Sequence, residues 1–367
     1  LNGLNSLPQP IAGKTYNWPL VAHYGQDTLF RLLNPLNINM SVDVWKSLDS
    51  LSSITEKKFV DGVPTDVIEI SRQLGIDIAI AIHNWSLSDG GSNTFFKTFD
   101  PNFIFPTGPS YWTPPVWGQV VSRYPLHPYW GKNRMFLNVD QTLVVPAIVS
   151  FSTDPQSDYY QLYKAVYDKN KSLTQEEKDI AYWWSDDPSE GQSFSPPGHS
   201  YNMATIVINK SNVDLITAAE VYAKTGMAVA DAFVHCWKTK YTYFNERPAE
   251  YIRSYIDMSF VQYWPEPPFP GFMSGHSIQS AATATVLESI FGKSFSFVDN
   301  TNLNTQRFYP APRTLNFTRS FNSLWDAAVE AGASRFFGGI HTQQDNLMGL
   351  EQGKKIGENI NALNWKK

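Results

Sequence analysis

Apolar residues recur at helical spacing along most of the chain. In segment 64–86, Val67, Ile68, Leu74, Ile78 and Ile82 fall near the helical period, so one side of a helix meets a core. The same patterning predicts helices at 21–34 and 43–59. It resumes at roughly 141–185, where Thr174 ahead of Glu177 forms a capping-box pattern. From residue 201 onward most of the chain reads as helix: 201–209, 212–244, 275–291, 321–337 and 341–363. Strict apolar–polar alternation, the strand signature, is scarce. The predicted fold class is therefore all-α. A helical N-terminal region (1–190) supports a C-terminal helical bundle (191–367), the two expected as one compact unit.

Two stretches oppose regular structure. Segment 87–133 is dense in Pro, Gly and aromatics, including PTGPSYWTPPVWG, and predicts an ordered covering loop or a flap. Segment 185–200, SDDPSEGQSFSPPGHS, is a second break, and residues 1–20 read as an irregular lead-in.

Composition narrows the function. The 367 residues carry a net charge of −5, which leaves no basic footprint for nucleic acid or an anionic membrane surface. A site for an anion in such a chain must be local. The 14% aromatic content argues for a well-packed body. Cys236 is the single cysteine, which excludes an intrachain disulfide and a cysteine zinc cluster. No run approaches the roughly eighteen apolar residues of a spanning helix. The first residues, LNGLNSLPQP, lack a basic and an apolar signal region; the expected location is secreted or periplasmic, with a signal peptide removed.

Three segments carry the chemistry. In Lys240-Tyr-Thr-Tyr-Phe-Asn-Glu-Arg247-Pro248 the two cations are nearly two helical turns apart, so one helix face would present both. Lys offers a compact charge and Arg a planar fork suited to oxyanions. Taken singly, the plainer reading is a pair of solvated surface cations. In Phe269-Pro270-Gly271-Phe272-Met273-Ser274-Gly275-His276, a Ser-Gly pair at a helix start offers a hydroxyl and bare N–H groups at the positive end of the helix dipole. An ordinary Ser N-cap accounts for it equally well. In Ser334-Arg335…His341…Asp345, Gly338 and Gly339 end one helix and His341 opens the next. Asp345 is then one turn from His341 and able to fix its tautomer. A core histidine with a local hydrogen bond is the competing account. Together the three segments assemble Lys, two Arg, Ser, Gly and two His, the inventory for an anion with several oxygens.

The pattern K-x6-R-P, then S-G-H, then S-R-x5-H-x3-D resembles the signature shared by vanadium-dependent haloperoxidases and type 2 phosphatidic acid phosphatases. It runs from Lys240 to Asp345, with Met273 where the family usually has Pro. Trp237 and Phe269 stand where haloperoxidases carry aromatic pocket walls. TPPVWG (113–118), PLHPYWG (125–131), WWSDDP (183–188) and PPGH (196–199) are similar to bacterial members, which extends the resemblance over most of the chain. The resemblance implies vanadate as cofactor, with His341 as its one protein ligand. Its oxygens would be held by Lys240, Arg247, Ser274, Gly275 and Arg335. His276 and Lys240 would be catalytic, His276 moving protons and Lys240 polarising the oxidant. The implied partners are hydrogen peroxide, a halide (iodide first, bromide next) and an organic nucleophile as halogen acceptor. The alternative is a soluble acid phosphatase of the same superfamily with His341 as nucleophile. Asp186 or Asp187 is a candidate partner of His276. His199 reads as structural, His235 and Cys236 as helix packing, and His23, His83 and His127 lack ligand-like neighbours.

Overall fold

The structure, a computed structural model, describes residues 1–34, 40–91, 97–187 and 194–365. The parts of the two predicted loops at 92–96 and 188–193 lie outside the described residues. Helices dominate, as the periodicity predicts, and the fold is all-α with short strand pairs between 297 and 321. The chain divides into two compact units, Leu1–Ser92 and Asn93–Lys367. The helices between 158 and 183 lie in the second unit.

The first unit holds α1 (Trp18–Leu33), α2 (Val42–Val60) and α3 (Thr65–Ser86). Asn17 and Ser41 cap the first two through the Leu20 and Val44 N–H groups, satisfying donors that a helix start leaves without partners. Gly75 lets α3 approach α1 closely: a Cβ there would lie 2.5 Å from the Val21 carbonyl oxygen.

The second unit contains α4 (Asn138–Gln141), α5 (Asp158–Lys171), α6 (Gln175–Trp183), α7 (Pro196–Ser211), α8 (Leu215–Tyr243), α9 (Pro248–Tyr255), α10 (Gly275–Phe291), α11 (Leu324–Phe337) and α12 (Gln343–Asn361). The helix expected across 141–185 is interrupted: residues 142–157, with Pro146 and Pro155, form no helix beyond the α4 turn, because proline removes a donor and clashes with the preceding turn. Two antiparallel pairs, β1 (Phe297–Asp299) with β4 (Arg319–Phe321) and β2 (Gln306–Arg307) with β3 (Arg313–Thr314), interrupt the helices. Their alternation is two or three residues long, too short to read from sequence.

At the centre lies α10, buried all round. Its inner residues Ser280, Ala281, Ala282, Thr283 and Ala284 are small, so α8, α11 and α12 pack close on every side. The tightest approach is to α12, where a Cβ on Gly353 would lie 2.1 Å from the Ile278 carbonyl oxygen. This contact ties the start of α10 to the start of α12, and the Ser274 N–H donates to the Asp345 carbonyl at 3.1 Å. A second cluster of Tyr159, Tyr163, Val166, Tyr251, Ile252 and Phe336 fixes α5 and α9 to the end of α11.

The covering segment 97–133 is an ordered loop. Its backbone N–H groups at Trp112, Gln119 and Leu126 donate to the carbonyls of Phe244, Glu266 and Pro268, each at 2.8 Å. Trp112, Phe105 and Phe103 pack around Phe244.

Because backbone rather than a mobile side chain opposes the extra methyl, Gly353→Ala should destabilise this unit by about 1–3 kcal/mol through overpacking. Urea denaturation followed by far-UV circular dichroism checks this; an unchanged midpoint would show that α12 can shift freely.

Candidate functional site

The three signature segments meet at one place, but two reach it differently from the sequence expectation. Lys240 and Arg247 do not share a helix face. The left-handed conformation of Phe244 (φ 51°) ends α8, and Arg247 becomes the N-cap residue of α9, so the two cations converge across a turn. Nor are they surface charges: both are 0% exposed. His341 does not open α12 but precedes it. Thr342 is the N-cap, and Asp345 reaches back from the first turn in a capping box. That geometry, rather than a shared helix face, brings Asp345 Oδ2 within 2.9 Å of His341 Nδ1 and 3.0 Å of the Thr342 N–H. Ser274 caps α10 as predicted, accepting the Ser277 N–H at 3.3 Å. The N–H of Gly275, at the first helical position, has no intrahelical acceptor.

His341 is the centre of the arrangement. Arg247 Nη1 lies 3.2 Å from its Nε2, and a guanidinium only donates. Nε2 therefore carries the lone pair and Nδ1 the proton, held by Asp345. Burial, followed by the charges of Arg247, Lys240 and Arg335, holds the His341 pKa well below its usual range, so the ring is neutral.

Lys240, Arg247 and Arg335 surround it. Lys240 Nζ donates to the carbonyls of Pro270 and Gly271 at 2.8 and 2.7 Å. Arg247 donates from Nε to the Phe269 carbonyl and from Nη1 to the Ile340 carbonyl. Arg335 Nη1 donates to the Trp184 carbonyl at 3.0 Å. Among the described residues none of the three makes a salt bridge, and Arg247 Nη2 and Arg335 Nε are buried without a hydrogen-bond partner. Burial pushes Lys240 down to about 7 and both arginines down to about 10. The Phe269 ring lies under both Lys240 and Arg247, with centroid distances of 5.1 and 4.9 Å, and packs on Trp237 at 5.0 Å. The expected aromatic pair thus exists and touches the cations.

His276, on the first turn of α10, is pushed down to about 4 by burial and the nearby Arg335. Of its two candidate partners, Asp186 faces it: Oδ2 is 3.6 Å from His276 Nε2, beyond hydrogen-bond range but within ion-pair range. Asp187 contributes to the field at Arg335. His235 and Cys236 are fully buried in α8, consistent with packing.

The family model of the VCPO second helical-bundle domain matches residues 257–365. Two structures titled as a bacterial vanadium-dependent chloroperoxidase share the fold: the apo-type at TM-score 0.70 and 15% identity, covering 94% of this chain and 83% of that one, and the holo-type at 0.64 and 14%, covering 97% and 95%. A structure titled as the first bacterial vanadium-dependent iodoperoxidase aligns at TM-score 0.81 and 30% identity, over 100% of this chain and 83% of that chain. The chain belongs to the vanadium-dependent haloperoxidase family. Among curated protein sequences none matches.

For a vanadium-dependent haloperoxidase the donor set is apt. It combines one imidazole lone pair with buried cations and a helix start, rather than the carboxylates a divalent metal would need. No group of three or more His, Cys, Asp or Glu suited to a metal ion occurs among the described residues. The orphaned Arg247 Nη2 and Arg335 Nε are the donors that an oxyanion would satisfy. Sequence reasoning missed Asp299 and Asn302, which reach Asp186 and His199 from β1 and the turn after it. Their only signal was an Asp two residues before Thr301, a common turn pattern.

Lys240 is poised to lose its proton near neutrality, whereas an anion beside it favours the charged form. Phosphate or vanadate binding should therefore take up protons at about pH 8, and affinity should fall as pH rises through about 7 and above. Calorimetry in two buffers of different ionisation enthalpy measures this; binding without proton uptake would place the anion elsewhere.

Proposed function

We propose that this chain is a vanadate-dependent haloperoxidase that oxidises iodide, and bromide less readily, with hydrogen peroxide. The observation that carries the reading is that Lys240, Arg247 and Arg335, buried and without a salt bridge among the described residues, all act on the charge of His341, whose lone pair Arg247 meets. The iodide preference is supported by the 30% identical iodoperoxidase structure.

In this reading His341 Nε2 would hold vanadium, and Arg247, whose Nη1 meets that nitrogen at 3.2 Å, would be at hand to donate to a vanadate oxygen. Lys240, Arg247 and Arg335 balance oxygen charge, while the Ser274 hydroxyl and the Gly275 N–H donate at the positive end of α10. Bound vanadate supplies a Lewis-acidic centre that activates hydrogen peroxide toward halide attack without a change of oxidation state. Overall, peroxide, halide and one proton give hypohalous acid and water. His276 is neutral at pH 7, so its role would be to accept a proton from hydrogen peroxide and later give it back. Lys240 donates to the oxygen that takes on negative charge. Trp237 and Phe269 form an apolar wall that limits water beside the cations, where each charge then acts more strongly. Hypohalous acid passes its halogen to an organic nucleophile.

Vanadate added to vanadate-free protein should restore peroxide-dependent triiodide formation, and His341→Ala should retain no stoichiometric vanadium. Brisk hydrolysis of p-nitrophenyl phosphate with no triiodide would instead favour the phosphatase chemistry. Lys240→Ala should lower kcat by about 10²–10³-fold, the scale of one lost charge-stabilising donor. Its urea midpoint should move little, and a collapse of stability would assign Lys240 to structure.

A further inference from the structure

Behind His276 lies a second buried charge system that the cage does not use. His199, on the first turn of α7, is 1% exposed and stacks on Trp184 with ring centroids 4.4 Å apart. Its Nδ1 is 2.9 Å from Asp186 Oδ1 and its Nε2 is 2.8 Å from Asp299 Oδ2. Ionised carboxylates only accept, so a ring clamped between two of them carries both N–H protons. Burial alone would lower the His199 pKa, but the charges of Asp186 and Asp299 outweigh it and lift it to about 10. Asp299 is anchored in turn by the Trp183 indole N–H at 2.9 Å and the Thr301 N–H at 2.9 Å. Asn302 Nδ2 donates to Asp186 Oδ1 at 3.2 Å. Asp186 itself holds φ 44°, in the left-handed region that Asp enters more readily than most residues.

Among the described residues the titratable groups that act on His276 are Asp186 from the turn after α6, His199 behind it from α7, Arg335 from α11 and His341 before α12. Asp186 lies in the field of two cations: it is bonded to His199 and it acts on the charge of Arg335. We propose that His199 is a positioning residue: clamped by Asp299, it holds the Asp186 carboxylate on the His276 side and away from Arg335. Asp186 then orients the His276 ring toward the cage, and Arg335 keeps its free donor for the anion. With a neutral residue at 199, Arg335 is the remaining cation near Asp186. The carboxylate turning to it would withdraw a partner from His276 and a donor from the cage together.

This inference rests on the haloperoxidase reading for its kinetic test but not for its spectroscopic one. In ¹⁵N-histidine-labelled protein without vanadate, His199 should show two protonated ring nitrogens from about pH 6 to about pH 9. A neutral His199 in that range would overturn the clamp. His199→Gln removes the charge and keeps a donor. It should lower kcat for iodide oxidation by about 10–100-fold, the range for residues that orient a site through a neighbour, with KM for iodide within about twofold. Asp186→Asn should show a similar loss, and the double variant should be no slower than Asp186→Asn alone, because His199 acts only through Asp186. Multiplying losses, or full activity in His199→Gln, would contradict the proposal. If His199→Gln does not fold, Asp299→Asn is put through the same comparison. Wild-type protein that oxidises no iodide would sink the functional reading, while the histidine spectra would still decide the clamp.

Discussion

Burying positive charge without a negative partner is what the rest of the second unit is organised to endure. Taking one ion out of water costs several kcal/mol even after relaxation, and here Lys240, Arg247 and Arg335 are taken out together. Backbone carbonyls of Pro270, Gly271, Phe269, Ile340 and Trp184 recover part of that cost, because dipoles solvate cations without neutralising them. Carboxylates in those places would have cancelled the charge and closed the site to anions. Among the described residues, carboxylates act from one step back: Asp345 behind His341, Asp186 behind His276, and Glu266 and Glu250 in the field of Arg247.

Such a cage holds only if its walls cannot drift. Small residues bring α10 and α12 into backbone contact at Gly353, and this fixes the Ser274–Gly275 start against the His341–Asp345 start. The α8–α9 turn is fixed by the Phe244 backbone, by Glu250 reaching back to the Arg247 N–H at 3.1 Å, and by the covering loop, whose Thr113 hydroxyl bonds the same Glu250 at 2.6 Å. Packing and charge therefore do separate jobs: packing sets the distances, and uncompensated charge sets the ligand class.

The long helices were legible because their apolar periodicity spans several turns, and the oxyanion inventory because residue type and order carried it. Burial of Lys240 and Arg247 was not legible. A Lys and an Arg at that spacing look like surface charge until the Phe244 turn folds them inward. The capping geometry of His341 was half visible, since the sequence placed Asp345 within reach but put His341 inside the helix. The His199–Asp186–Asp299 clamp joins residues some 100 positions apart, with Nε2 of His199 on Asp299. Local pattern offers no means of pairing them. The short strands and the α9 helix (Pro248–Tyr255) were missed because two or three residues of alternation, or two turns of helix, leave no period to read.

If uncompensated buried charge is the organising feature, filling the cage should stabilise the fold. Thermal unfolding in rising orthovanadate, at constant ionic strength, tests this directly. The account predicts a Tm that climbs with the logarithm of free vanadate, following one-site linkage with one anion per chain, while chloride at the same concentrations has no effect. A Tm indifferent to vanadate, or raised equally by chloride, would contradict it.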